Sequence, residues 1–132
     1  MKTLLSLIIA VVFSLNASAQ QKPTINLSWE EPIQTVNNLE FELVDMDEWG
    51  TSTIKITKYN EDGSVHQTGF MVDGKKNGLW KMYQDGVVIS ELQYSFDNRV
   101  WTKIYRNDGH DLVFYRDNKP TLIRTEQVLA SN

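Results

Sequence analysis

The 132-residue sequence contains no cysteine and only two histidines. The absence of cysteine excludes disulfides, a thiol nucleophile and a thiolate metal site. The histidines, His66 and His110, have no partner at ligand spacing, and a zinc site needs three or four converging ligands. The sequence therefore predicts no metal and no cofactor, and it indicates a fold held together by packing and sheet hydrogen bonds.

Motifs that mark common catalytic sites are also missing. The sequence has no Gly-x-Ser-x-Gly, no glycine-rich phosphate loop and no EF-hand pattern. Its lysines and arginines do not form the basic stripe of a nucleic-acid-binding domain. We therefore expect a protein that is not an enzyme and that binds no nucleic acid. Two carboxylates from separate strands could still converge in the fold, so a small hydrolase stays open as an alternative.

The sequence contains one long apolar run, at the N-terminus. Lys2 precedes an apolar run over residues 4–15, and Ala17-Ser18-Ala19 follows it. The run is shorter than the roughly 20 residues that span a bilayer core, and small residues after it are typical of a signal-peptidase site. We predict a cleavable signal peptide over residues 1–19, with a retained anchor or a buried helix as the alternative. The mature chain would then lack a transmembrane segment and be periplasmic or extracellular.

The charges are unevenly distributed. Residues 20–50 contain one cation, Lys22, and seven acidic residues, whereas residues 51–132 are nearly neutral. We interpret the acidic segment as a solvated face or a loosely ordered arm, and a site for a cation or a basic partner is the alternative. Residues 20–38 also show no strong hydrophobic period, so we assign them to an acidic, polar lead-in.

Turn pairs separate strand-like segments along the rest of the chain. Residues 39–43 and 54–56 alternate apolar and polar side chains, which is the period of a half-buried strand. Asp-Gly pairs, which favour the type I′ turn of a hairpin, lie at residues 62–63, 73–74, 85–86 and 108–109. The pattern predicts strands at residues 39–44, 53–59, 64–72, 79–84, 87–96, 100–106, 111–116 and 120–125.

The turns recur with a fixed period. Gly63, Gly86 and Gly109 lie 23 residues apart, and each follows a segment that begins with tyrosine. Such a period indicates a repeat architecture with one supersecondary unit per period. Here the unit is a hairpin, repeated near residues 52–74, 75–97 and 98–120. We assign the three glycines to positive-φ turn positions, and on that assignment Gly86→Val should lower the melting temperature more than Gly50→Val.

The middle unit resembles a known repeat. Residues 78–86, Gly-Leu-Trp-Lys-Met-Tyr-Gln-Asp-Gly, are similar to the Gly-x-Trp-x-x-Tyr…Gly core of the MORN repeat, in the variant of bacterial antitoxin-like MORN proteins. The third unit keeps Trp101, Tyr105 and Gly109, and the first keeps Tyr59 and Gly63. About three degenerate repeats are therefore present.

The resemblance covers about residues 52–120 and implies an all-β fold, a single-layer antiparallel meander of consecutive hairpins. With the flanking strand-like segments, we assign the β-repeat domain to residues 39–126 and a tail to residues 127–132. The resemblance implies no catalytic residue. Members of the family serve as scaffolds, lipid-contacting modules or proposed toxin partners, and a secretory signal argues against a cytoplasmic antitoxin role.

Four aromatic residues of the repeats are candidate binding residues: Trp80, Tyr83, Trp101 and Tyr105. We favour a core role for the two tryptophans, and the alternative is a row of aromatics on an open sheet face, which would form a binding patch. The predicted function is an exported, non-catalytic module that binds an unknown protein or cell-envelope component through one face. A structural envelope protein that self-associates through edge strands is a further alternative.

Overall fold

The computed structural model describes residues 7–10 and 24–127, and within these ranges it contains strands and no helix. Accordingly, the described part of the chain offers no helix that could span a membrane. The strands are β1 (Leu7–Ala10), β2 (Thr24–Leu27), β3 (Ile33–Val36), β4 (Leu39–Met46), β5 (Ser52–Tyr59), β6 (Val65–Val72), β7 (Lys75–Lys76), β8 (Gly78–Gln84), β9 (Val87–Ser95), β10 (Asn98–Arg106), β11 (Gly109–Arg116) and β12 (Lys119–Gln127).

Most of these strands form one antiparallel meander. The order across the sheet is β12-β11-β10-β9-β8-β6-β5-β4-β3, the short β7 pairs with β6, and β1 and β2 form a separate two-stranded sheet. The predicted all-β antiparallel fold is confirmed, and each of the eight predicted strands is present within a few residues of its expected ends. The predicted signal peptide and tail lie outside the described residues, apart from β1 and Gln127.

The lead-in at residues 20–38 is more structured than expected, because it contains β2 and β3. β2 contributes Ile25 and Leu27, both fully buried, to the same hydrophobic cluster as Phe41 of β4 and Ile56 of β5. Each such buried side chain stabilises the fold by roughly 1.5–3 kcal/mol relative to exposure. The first half of the meander is therefore covered on one face rather than forming a bare single layer.

The two faces of the sheet follow from the register of its strands, since side chains alternate along each strand. Trp80 pairs with Leu92, which pairs with Thr102, and the row continues to Val113. We call the face that carries Phe41, Trp80 and this row the core face. The neighbouring row carries Trp101 and Phe114 and belongs to the opposite face, which we call the outer face.

Trp80 occupies a place in the core that Gly69 makes available. Its side chain is 2% exposed, and its indole Nε1–H donates a hydrogen bond to the carbonyl oxygen of Phe70 at 3.1 Å. A Cβ at Gly69 would overlap the indole ring. The lack of a side chain at Gly69 therefore allows the tryptophan to lie flat against the sheet.

The turn glycines differ in what they do. Gly86 (φ 78°) follows Asp85 (φ 51°), so both central residues of that turn have the positive φ of a type I′ hairpin. Gly109 lies at the start of β11, and a Cβ there would come within 2.8 Å of the Gln127 Cα atom. Gly50 also has positive φ, at 84°. Both Gly86→Val and Gly50→Val would therefore strain the backbone, so φ alone gives no reason for the expected difference in melting temperature, which stays a prediction.

Candidate functional site

Two adjoining cavities lie on the core face of the sheet and share Lys76. The larger, of about 390 Å³, is lined by Lys76, Tyr94, Asp97, Arg99 and Asn118. The smaller, of about 250 Å³, is lined by Asn37, Asn38, Leu39, Lys58, Gln67, Lys76 and Trp80. We call the pair the cationic groove, after its three positively charged residues.

The turn between β9 and β10 fixes the backbone of Lys76. The Lys76 N–H donates to Asp97 Oδ1 at 2.8 Å, and the Asp97 N–H donates back to the Lys76 carbonyl oxygen at 2.8 Å. Phe96 and Asp97 both have positive φ, 44° and 70°, which turns the chain tightly enough for this contact. The groove is thus closed on this side by reciprocal hydrogen bonds between the two ends of one repeat, residues 75–97.

The side chain of Lys76 lies over two aromatic rings. Its Nζ atom is 5.0 Å from the centroid of the Trp80 ring and 5.2 Å from that of Tyr94. The two rings contact each other edge to face, with centroids 6.2 Å apart. Cations within about 6 Å of a ring centroid are attracted by the ring quadrupole, so both rings hold the ammonium group at the wall of the groove.

Arg99 repeats this arrangement 23 residues later. Its backbone N–H donates to Asn118 Oδ1 at 2.8 Å, as that of Lys76 donates to Asp97. Its guanidinium carbon lies 5.7 Å from the Tyr94 centroid and 5.2 Å from that of Tyr115. Rings and cations therefore alternate along the groove, and Tyr94 belongs to both units.

Hydrogen bonds set the charge states around Arg99. Burial opposes the charge of Arg99, but hydrogen bonds with Tyr94 and Tyr115 outweigh burial and raise its pKa. Burial also favours the neutral Tyr115 phenol, yet the nearby Thr102 hydroxyl and the positive charge of Arg99 outweigh burial and lower the pKa of Tyr115. The Arg99 Nη2 atom lies 3.2 Å from Tyr94 Oη, to which it donates. Arg99 is therefore held as a fixed cation.

The cations of the groove lack counter-charges within the described part of the chain. Lys58, Lys76 and Arg99 are half-buried, and no described carboxylate lies within 4.0 Å of their side-chain nitrogen atoms. The ion pairs of the described residues instead join Arg106 to Asp108 and Asp111, and His110 to Glu126. The lining of the groove includes one carboxylate, Asp97. A protein with a net charge of −4 therefore keeps a positively charged strip on one face.

The four aromatic residues that the sequence suggested as anchors do not share a face. Trp80 is buried on the core face, as the core interpretation expected. Trp101 is half-buried on the outer face, where Tyr105 also lies and donates a hydrogen bond from its hydroxyl to Glu91 Oε1. Tyr83, half-buried, follows Met82 on β8 and belongs to the outer face too. A single binding row made by all four is therefore not formed.

The sequence interpretation missed the groove. Lys76, Tyr94 and Arg99 do not belong to any motif that marks a binding site in the sequence. One signal was available: the 23-residue spacing of Lys76 and Arg99 equals the spacing of the turn glycines. Asp97 and Asn118 lie in the polar breaks that close the repeats, and each reaches back to the preceding cation.

No group of three or more histidine, cysteine, aspartate or glutamate side chains that could hold a metal ion occurs among the described residues. Comparisons with protein-family models, with curated proteins and with solved structures find no match to the chain. The resemblance to MORN repeats thus stays a hypothesis.

Proposed function

We propose that this protein is an exported, non-catalytic binding module whose cationic groove holds an anionic ligand. One observation carries the proposal: Lys58, Lys76 and Arg99 are partly removed from water without a carboxylate partner among the described residues. Aromatic rings hold the cations of Lys76 and Arg99 in place, but they supply no negative charge. A bound anion would supply the missing counter-charge at all three positions.

The shape and rigidity of the groove support binding. The larger cavity, about 390 Å³, falls in the size range of small-ligand sites. Asp97 and Asn118 anchor the backbones of Lys76 and Arg99, and the Tyr94 ring contacts both side chains. A site that is ordered before the ligand arrives loses less conformational entropy on binding.

Export and the repeat assignment belong to the same proposal. The sequence of residues 1–19 supports a secretory signal, and the recurrent hairpins support degenerate MORN-like repeats. The ligand would then be a protein or a cell-envelope component, met in the periplasm or outside the cell. N-terminal sequencing of the exported protein should begin at Gln20, and an N-terminus that retains residues 1–19 would contradict export by cleavage.

The hydrolase alternative gains no support from the groove. A pair of carboxylates with different proton affinities would be needed for acid–base chemistry. The groove contains Asp97 alone, and its Oδ1 atom accepts a hydrogen bond from the Lys76 backbone. We therefore propose binding rather than catalysis.

Self-association is a second candidate, favoured by the edge strand β12. All nine residues of β12 are exposed, including Leu122 at 54% and Ile123 at 66%. An exposed edge presents unpaired backbone groups to which another strand can add. Sedimentation velocity over a hundredfold range of concentration tests this candidate, and a monomer at every concentration would exclude it.

The binding proposal is tested by retention of the exported protein on anionic and neutral beads over a range of salt concentrations. We expect retention on anionic beads only, weakening as salt rises. The variant K58Q/K76Q/R99Q should elute early. The matched control K55Q/K103Q/R124Q removes the same charges from the outer face and should elute like the wild type. Equal loss in both variants would show that net charge, not the groove, causes retention.

A further inference from the structure

The groove offers two kinds of polar group in one row. Its cations are Lys58, Lys76 and Arg99, and amide side chains accompany them: Asn37, Asn38, Gln67 and Asn118. Ammonium and guanidinium groups pair with anionic oxygens, whereas amides donate to and accept from hydroxyl groups. A ligand that satisfies both kinds carries acidic groups and hydroxyl groups together.

The groove extends across several strands. Lys58 lies on β5 and Arg99 on β10, and β6, β8 and β9 lie between them in the sheet. With neighbouring strands 4.7–4.9 Å apart, the two ends of the row are separated by about 20 Å. One small anion cannot reach both ends, so the row suits a linear ligand with more than one acidic group.

The aromatic rings of the groove are not available for stacking. Trp80 is 2% exposed and Tyr94 is 8% exposed, and the cations of Lys76 and Arg99 lie over them. Proteins that hold single-stranded nucleic acids use open aromatic platforms on which bases stack. The absence of such a platform in the groove argues against a nucleic acid as the ligand. The groove can instead recognise acidic groups through its cations and hydroxyl groups through its amides.

We infer that the ligand of the groove is an acidic polysaccharide. One acidic group lies between Lys76 and Arg99 in the larger cavity, and another lies between Lys76 and Lys58 in the smaller cavity, while the amide side chains bind the hydroxyl groups. This inference rests on the proposed binding function and adds the chemical class of the ligand. The acidic group can be a carboxylate or a sulfate ester, because both present the same oxygens to the cations.

The test is isothermal titration of the exported protein with defined polymers at one salt concentration. The probes are polygalacturonate for carboxylates, dextran sulfate for sulfate esters, unmodified dextran as the neutral glycan, inorganic polyphosphate as a polyanion without hydroxyl groups along its chain, and galacturonate as the single unit. We expect binding to one or both acidic glycans, at least about tenfold tighter than to polyphosphate or to the single unit, and no binding to dextran.

Variants locate the binding on the surface. K76Q/R99Q should weaken binding of the preferred acidic glycan by about a hundredfold, since each lost ionic contact is expected to cost about tenfold. The matched pair K103Q/R124Q, whose cations also lie over aromatic rings but on the outer face, should change it less than threefold. Circular dichroism and thermal melting of both variants establish that they are folded.

Each outcome has a distinct meaning. Preference for polyphosphate over both acidic glycans would overturn the polysaccharide inference and leave the anion-binding proposal intact. Binding of no anionic probe would overturn both. Acidic-glycan binding that survives in folded K76Q/R99Q, or that is lost equally in K103Q/R124Q, would overturn the assignment to the groove.

Discussion

In the first half of the sheet, Phe41, Ile54 and Ile56 are almost completely buried, and they share a hydrophobic cluster with Ile25 and Leu27 of β2. In the second half, from β9 to β12, the large side chains other than Tyr94 are half-buried or exposed. There, cations over rings and hydrogen bonds between turns take the place of a packed core. The difference shows that one repeated hairpin can be stabilised in two ways, depending on whether a second layer covers it.

The groove lies where the two halves meet. Trp80 and Tyr94 lie at the end of the buried cluster. Beyond them, Arg99 and Tyr115 continue the pattern on an uncovered face. The junction therefore combines a rigid floor with open access from solvent, which a ligand site requires and which neither half offers alone.

The largest expected effect contrasts the two tryptophans. Trp80→Ala should destabilise the protein by about 3–5 kcal/mol, because a fully buried ring is lost from the core. Trp101→Ala should cost about 1–2 kcal/mol, because Trp101 is half-buried on the outer face. Urea unfolding of the two variants measures both values. Equal losses would contradict the division into a covered and an uncovered half.

The second effect compares backbone strain alone, at Gly63, with a steric clash against a neighbouring strand, at Gly109. Gly63→Ala places a side chain at φ 89° in open space and should cost about 1 kcal/mol. Gly109→Ala also meets the backbone of β12 and should cost about 1–3 kcal/mol more. Hydrogen exchange should show faster exchange in residues 119–127 of the Gly109 variant while β4 and β5 stay protected. Uniform loss of protection would mean that the two halves unfold as one unit.

The third effect concerns the hydrogen bond between Arg99 and Tyr94 at the junction of the two halves. Tyr94→Phe keeps the ring and removes the hydroxyl that accepts a hydrogen bond from Arg99 at 3.2 Å. The stability loss should be about 1 kcal/mol, and anion binding should weaken several-fold because Arg99 is less well positioned. Tyr83→Phe, on the outer face, is the control and should leave binding unchanged. Unaltered binding in Tyr94→Phe would show that this hydrogen bond does not position Arg99.

The smallest effect concerns alkaline pH. The hydrogen bond with Glu91, together with burial, raises the pKa of Tyr105 above 10.0. Because the folded state favours the protonated phenol, the Tyr105–Glu91 contact adds its full contribution to the free energy of unfolding below about pH 10. That contribution is lost as the pH rises through the raised pKa of Tyr105. Tyr105→Phe should therefore flatten the fall in melting temperature between about pH 9 and pH 11. An unchanged slope would contradict a stabilising Tyr105–Glu91 contact.

Local signals in the sequence predict the positions of the strands well, but they do not predict on which face of the sheet a side chain lies. Asp-Gly turns and period-two segments located eight strands, because both signals are properties of adjacent residues. The faces of Trp80 and Trp101 depend on long-range register. Trp80 aligns through Leu92 with Thr102, and the ladder between β9 and β10 shifts between Arg99 and Trp101. A one-residue shift moves a side chain to the other face, so the two tryptophans looked equivalent in sequence and are not.

The second layer and the groove escaped prediction for related reasons. Only Ile25 and Leu27 of β2 enter the core, too few to give a hydrophobic period in a polar segment. Lys76 and Arg99 come together with Tyr94 only once three strands have paired. Spacing alone hinted at the groove, but spacing does not distinguish a cation in solvent from one that lies over a ring.

The measurement that tests the central claim most directly is amide chemical-shift mapping of the protein by NMR during titration with oligogalacturonate. We predict that the shifts concentrate at Lys58, Lys76, Tyr94, Asp97, Arg99 and Asn118, on the core face at the junction of the two halves. Shifts confined to the outer face around Trp101 and Tyr105 or to the edge strand β12, or no shifts at all, would contradict a ligand site in the cationic groove.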